Sequence, residues 1–338
     1  MKHLKPENIS IVFTGYNILE YIQLAVYSFL DMYPQFKQSI VIFDDKSTDD
    51  TVNWCKKEGF KVITWSKDNY LSDFKKYDNI IDSMEKSQGY SINASYRNSA
   101  IIKEIFEQIT TQYLMINDGD IIFMNPGFME EYESYIQKGF KVIAPFEKYN
   151  YGWNYFATYF TEKMRKKFFG KYRGMYTYNE RTNKEFMSRL HFFHAIIDLE
   201  EVKAYNLYFD NLSDKEFIRL IFRNATLETG SNFCLQLEEN KIPTYIIPAN
   251  KVFNNWVTKE NANFYRGCSE QKAKDIWVYH FRWISSFRRM ADDFHRFDMN
   301  SHTWKKIKAD LQNNKILTEK IMYIVNKYNT KFPRELFE

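Results

Sequence analysis

The chain has 338 residues, 44% of them hydrophobic and 27% charged. That is enough for one large α/β domain with an appendage, and it excludes a disordered or fibrous protein. A formal net charge of +4 is too small to argue for nucleic acid, and no nucleic-acid-binding motif accompanies it.

The N-terminal stretch "MKHLKPENISIVF" has only a short apolar run, broken by Pro6, Glu7 and Asn8. It does not read as a signal peptide, and no run of about 18 apolar residues suggests a membrane span. Cys55, Cys234 and Cys268 lack CxxC spacing, which excludes a cysteine zinc site or a disulfide framework and suits a reducing cytosol. The expectation is a cytoplasmic protein, at most peripheral on the inner membrane.

In chain order, "ISIVFTGYN" reads as a strand ending in a glycine turn. "NILEYIQLAVYSFLDM" follows as a helix, with Asn17 and Glu20 spaced as a capping box. "SIVIFDD" is a second strand, then a polar turn and a short helix closed by Gly59; "FKVITW" is a third strand. A loop and helix, "SYRNSAIIKEIFEQI", lead to the strand "QYLMIND". Asn125-Pro126 opens another helix closed by Gly139, and "FKVIAP" is a further strand. Strands interleaved with helices of this length predict a doubly wound, mostly parallel α/β sheet, whose ligands gather at the carboxyl ends of the strands. The second half is less regular: 145–190 reads as a long aromatic and basic loop, "ETGSNFCLQLEEN" as a helix, "PTYIIP" as a short strand, and the pattern beyond Phe287 as helical.

Three polar clusters fall at strand ends: "FTGYN", "DDKSTDD" and "NDGD". The last sets Asp118 and Asp120 between apolar runs, and paired carboxylates at the edge of a core need compensation. GxGxxG and GxxxxGK(S/T) are both absent, so a glycine-rich phosphate loop does not supply it. A divalent cation, Mg2+ or Mn2+, would neutralise the carboxylates and bridge them to a phosphorylated ligand.

The segments "ISIVFTGYN", "IVIFDDKSTDDT", "ASYRNSA" and "YLMINDGDIIFMNP" have the order and rough spacing of a known family. Over about residues 9–130 the chain resembles the nucleotide-sugar-binding half of GT-A-fold glycosyltransferases, particularly the family 2-like group with its DxD motif. The resemblance implies a GT-A domain over 1–290, split into a nucleotide-binding half (about 8–145) and an acceptor-side half (about 146–290), and a helical C-terminal extension over 291–338. It implies that Thr14, Gly15 and Tyr16 line the nucleotide base, that Asp44 or Asp45 accepts a hydrogen bond from base or ribose, and that Arg97 approaches the base or diphosphate. Asn117, Asp118 and Gly119 would contact the donor, with Asp120 the direct metal ligand and Asp118 nearer the ribose or sugar. The missing side chain of Gly119 would let the ligand approach the backbone. His280, in "WVYHFRWISS", would supply a third metal ligand, while His191 and His194 read as packed side chains.

Glu228 in "LETGSNF" is the candidate general base for an inverting transfer, with Asp198 in reserve and a helix N-cap the stronger reading there. The implied reaction moves a sugar from a nucleotide-sugar donor, a UDP-sugar, to a saccharide or glycolipid acceptor in bacterial surface-glycan synthesis. Nine basic and three acidic side chains between Thr161 and Leu190 suit an anionic acceptor glycan, the anionic inner leaflet, or a plain solvated loop. Two rival readings stand: a sugar-nucleotide nucleotidyltransferase, which "FTGYN" disfavours by lacking a GxGxRxxP signature, and a non-catalytic glycan- or membrane-binding module on the same scaffold.

Overall fold

The structure, a computed structural model, describes residues 3–65, 101–147, 189–190, 193–205, 233, 236–237, 240–248, 250–254, 268–281 and 302–331. The apolar runs of the first half form the strands β1 (Ile9–Gly15), β2 (Ile40–Asp44), β3 (Lys61–Thr64) and β4 (Tyr113–Asp118). All four run parallel, in the order β3-β2-β1-β4. Beyond β4 the sheet continues through β8 (His194–Asp198) and β6 (Val142–Glu147) to β7 (Arg189–Leu190), and β9 (Thr244–Ile247) also pairs with β6. β8 runs antiparallel to both β4 and β6, whereas β9 is parallel to β6. The doubly wound, mostly parallel α/β sheet expected from the sequence is therefore present, with one inner strand reversed.

Alternation along the strands builds a core on each face. Ile11, Phe13, Ile40, Ile42, Tyr113 and Met115 join one cluster with α1 (Leu19–Met32), while Val12, Val41, Phe43, Leu114 and Ile116 join another. The second cluster is covered by Ile101, Ile102, Ile105 and Phe106 from helical residues 101–108. Each such side chain taken fully out of water contributes about 1.5–3 kcal/mol.

Three further helices are short. They are α2 (Thr51–Glu58), α3 (Phe128–Gln137) and α4 (Leu199–Ala204). Gly59 ends α2 in the left-handed conformation at φ 76°, as a closing glycine should. The helix expected from Asn125-Pro126 begins later, with Gly127 at its N-cap.

After β4 the chain crosses to a second, three-stranded sheet. β5 (Ile121–Phe123) pairs antiparallel with β11 (Val278–His280), which lies parallel to β10 (Val252–Asn254). Ser28 on α1 accepts the Phe123 N–H at 3.0 Å, and Asn125 donates to the Ile276 carbonyl at 2.6 Å. The turn at Asp118–Asp120 is the junction between the two sheets.

α5 (Glu270–Asp275) precedes β11, and the C-terminal helices are α6 (His302–Asn313) and α7 (Lys315–Tyr328). Ile307, Leu317, Ile321 and Ile324 belong to the same core cluster as α1. α1 is buried nearly all round because α7 covers its outer side: Tyr27 stacks on Tyr328 at 4.5 Å, and Asp31 pairs with Lys320 and Lys327. Asp310 of α6 accepts the Tyr279 hydroxyl and the Cys268 N–H, each at 3.0 Å, fastening the C-terminal helices to β11. Among the described residues, no helix is long and apolar enough to cross a membrane.

Candidate active site

Strand register brings the expected clusters to one edge of the sheet. Gly15 lies beside Asp44, and Thr14 beside Asp118, so the carboxyl ends of β1, β2 and β4 converge. The Asp45 N–H donates to the Gly15 carbonyl at 3.0 Å and carries the pairing one residue past β2. Asp44 and Asp45 are both buried, and Thr14 and Tyr16 are half-buried. Desolvation holds the Asp44 carboxyl above the usual carboxylate range, against the pull of its bond from the Ser47 N–H.

The turns after β1 and β2 are strapped together. The capping box expected from Asn17 and Glu20 is not formed: Ile18 is the N-cap of α1, without a side-chain bond. Asn17 instead turns across to the second loop, taking the Thr48 N–H at 2.7 Å and the Asp49 N–H at 3.3 Å on Oδ1, while its own N–H donates to Ser47 Oγ. Asp49 returns the contact by accepting the Leu19 N–H at 3.1 Å. Asn17 has φ 51°, a left-handed conformation that asparagine tolerates. Asn17→Ala should therefore lower unfolding free energy by about 2 kcal/mol, and Asn17→Gly by less because glycine keeps the backbone conformation. Urea unfolding of the two variants checks the order.

Asp118 closes β4, and after two intervening residues β5 begins against β11, with Ile121 opposite His280. The Phe281 N–H donates to the Asp120 carbonyl at 2.9 Å and locks that register. The result puts His280 Nε2 3.2 Å from Asp120 Oδ1 and 3.4 Å from Asp118 Oδ2. One donor atom from each residue lies within 4.8 Å of the other two. Exposure is graded: 40% for the Asp118 side chain, 6% for Asp120 and 2% for His280. Burial pushes the His280 pKa down, but the charges and hydrogen bonds of Asp120 and Asp118 outweigh it and raise the value to about 9. Two carboxylates and an imidazole are a donor set suited to Mn2+ or Mg2+, and three converging atoms with one open carboxylate leave room for a ligand to complete the shell.

Gly119 has a packing role that the sequence does not show. A Cβ there would meet the Thr14 carbonyl oxygen at 2.6 Å and Ile22 Cγ1 at 2.8 Å. The Gly119 N–H donates to that same carbonyl at 2.7 Å. The missing side chain thus serves close packing of the turn on β1 and α1. Gly119→Ala should cost about 3 kcal/mol, at the upper end for overpacking since backbone is what it meets, read as a lower urea midpoint.

Asn117 is also corrected. One residue before Asp118 on a strand, it points to the opposite face. It is fully buried, donates to the Val12 carbonyl at 3.3 Å and accepts from His194 Nδ1 at 2.8 Å. His194 Nε2 lies 2.6 Å from the Tyr132 hydroxyl, and burial lowers the His194 pKa to about 3, so the imidazole is neutral. Asn117 is therefore a structural link rather than a donor contact, and His194 packs as expected.

Asp198 does not reach this site. It pairs with Tyr113 at the far end of β4, while Asn117 pairs with His194. Four strand steps of about 3.3 Å put it about 13 Å down the sheet. It accepts the Glu201 N–H as the N-cap of α4 and an ion pair from Lys141 at 3.2 Å. Arg97, His191 and Glu228 lie outside the described residues, as does the basic window at 161–190 apart from the backbone of β7.

Two residues with direct bearing on the site were not singled out from the sequence. Phe193 stacks on the His280 ring, with centroids 4.4 Å apart and planes at 19°, and its carbonyl accepts the Asp118 N–H at 2.9 Å. No pattern in "HFFH" distinguishes it from its neighbour. Asp49 was read as part of a turn, and only the fold shows that it caps a different helix.

No protein-family model matches this sequence, and no curated protein matches it. Solved structures similar to it include the galactosyltransferase LgtC with donor and acceptor sugar analogues, at 12% identity and TM-score 0.49, covering 96% of this chain and 98% of that one. Mouse xyloside xylosyltransferase 1 in its apo form has 11% identity and TM-score 0.45, covering 80% and 96%. Core-mannan synthase A from Aspergillus fumigatus, in an Mn/GDP form, has 11% identity and TM-score 0.46, covering 68% and 69%. Likeness at this distance says nothing of substrate or reaction.

Proposed function

We propose that this chain is a metal-dependent glycosyltransferase of the GT-A type, moving a sugar from a UDP-sugar to a saccharide or glycolipid acceptor. The observation that carries the reading is the Asp118–Asp120–His280 cluster at the carboxyl end of β4, beside the strapped loops of β1 and β2. Acidic groups at that edge need a cation, and an open crevice of a mostly parallel sheet is where a nucleotide lodges.

A divalent cation held there would supply Lewis-acid stabilisation of the leaving diphosphate. The chain's own contribution is positional. Asp120 and His280, both buried, would fix one side of the centre, while the more exposed Asp118 would contact donor oxygens as well. Asp44 and Asp45 sit at the end of β2, two strands from β4, where they would accept hydrogen bonds from base or ribose. Thr14 to Tyr16 would form the floor between them.

With Asp198 committed to a helix cap, the inverting course rests on Glu228 as the base that takes the acceptor hydroxyl's proton. The anomeric configuration of the product, read by NMR, decides that part separately. A role in bacterial surface-glycan assembly, with the basic window meeting an anionic glycan or a membrane leaflet, is the setting we propose for the reaction. Screening nucleotide sugars for hydrolysis or transfer tests the whole: turnover of at least one donor, abolished by EDTA and restored by Mn2+, is the expected result. Turnover that persists in excess EDTA would remove the metal from the mechanism.

A further inference from the structure

Phe193 touches the machinery of the metal centre twice. Its ring lies nearly flat on the His280 imidazole at 4.4 Å, and its carbonyl takes the Asp118 N–H at 2.9 Å. The residue is 3% exposed, so neither contact is a surface accident. What holds residue 193 is also visible. The next residue, His194, is pinned on one nitrogen by Asn117 at 2.8 Å and on the other by the Tyr132 hydroxyl at 2.6 Å. His194 packs further against Phe123 and Phe128, with centroids at 5.5 and 5.6 Å. A neutral, doubly bonded imidazole in an aromatic pocket has one rotamer and no reason to leave it.

We propose that Phe193 is the positioning residue of the Asp118–Asp120–His280 centre, clamping the imidazole plane with its ring and the Asp118 backbone with its carbonyl, and that the Tyr132–His194–Asn117 chain holds it in place. This rests on the metal-centre reading above. The physical logic is that a ligand set binds tightly when its members are held in orientation before the metal arrives. His280 comes from β11 and Asp118 from β4, in different sheets. Phe193, immediately before β8, touches a residue on each. It never touches the reacting atoms, so its effect should fall on metal affinity and ligand geometry.

The test titrates Mn2+ into the metal-free full-length chain and follows bound and free ion by electron paramagnetic resonance, with thermal melting alongside. Phe193→Leu keeps an apolar side chain and the backbone carbonyl but loses the ring. Its Mn2+ affinity should fall by about 10- to 100-fold, the range for losing a group that orients a ligand, with a changed bound-Mn2+ spectrum. Phe193→Tyr keeps the ring and should recover most of the affinity. Tyr132→Phe, which removes only the hydroxyl bonded to His194, should weaken Mn2+ in the same direction and serves if the leucine variant does not fold. Wild-type affinity and spectrum in a folded Phe193→Leu, or in Tyr132→Phe where the leucine variant is unfolded, would overturn the proposal. A wild-type chain that takes up no Mn2+ would instead overturn the metal centre itself, so the two failures are distinct.

Discussion

Replacing Asp120 with asparagine should abolish Mn2+ binding and lower nucleotide-sugar turnover by about a thousandfold, as expected for removing a group that stabilises charge in the transition state. Asparagine matches aspartate in volume, so the packing around this nearly buried side chain is kept. The charge balance also adjusts. His280 owes its raised pKa to Asp120 and Asp118 acting against burial. With Asp120 neutral, the imidazole loses one of the two carboxylates that hold its pKa up, while Asp118 stays beside it to pair with any remaining charge, so no lone buried charge is stranded. The variant should therefore fold, and its loss of turnover can be assigned to the site. Circular dichroism for folding, calorimetry for Mn2+ and a donor-hydrolysis assay make the comparison. A variant that keeps both Mn2+ affinity and turnover would remove Asp120 from the metal set.

The second large effect is a pair of opposite pH slopes, one in the stability of the metal-free chain and one in its Mn2+ affinity. In the metal-free fold the His280 pKa stands at about 9, against 6.5 for the ordinary group. A raised folded-state pKa stabilises the fold fully below the unfolded value, and that contribution shrinks as pH climbs and is gone above the folded value. The window is therefore 6.5 to about 9, and its full size is about 3 kcal/mol for a group this buried. Metal requires the neutral imidazole, so Mn2+ affinity should rise across the same window, by up to about tenfold per pH unit. Urea unfolding of the metal-free chain on both sides of the window checks the first slope, and calorimetric Mn2+ titration the second. In His280→Gln both slopes through this window should flatten; slopes unchanged in that variant would assign them to other groups.

Much of the N-terminal half of the fold was legible because β1, β2 and β4 are unbroken apolar runs that end in turn residues, and helices separate them. The meeting of Asp118 and Asp120 with His280 was legible through the resemblance, although the residues are 160 positions apart. The sequence does not reveal how they meet, because the second sheet consists of three strands of only three residues each. Runs that short carry no usable period. The reversal of β8 was hidden for a related reason. Buried along its whole length, "HAIID" reads the same whichever way it runs.

Asn117 is a different lesson, since its correction was available beforehand. A period of two puts adjacent strand residues on opposite faces, so Asn117 and Asp118 cannot both face the crevice. The packing role of Gly119 was hidden because a glycine beside a ligand site and a glycine under a packed helix look alike in one dimension. Only the 2.6 Å approach of the Thr14 carbonyl to its missing Cβ separates them.

The most direct measurement of the central claim is a calorimetric titration of UDP into the metal-free chain, with and without Mn2+. UDP should bind at least about tenfold more tightly when Mn2+ is present, since Asp118 and Asp120 would hold a cation that also attracts the diphosphate. The enhancement should vanish in Asp120→Asn. UDP affinity indifferent to Mn2+ in the wild-type chain would contradict a shared metal at this edge of the sheet.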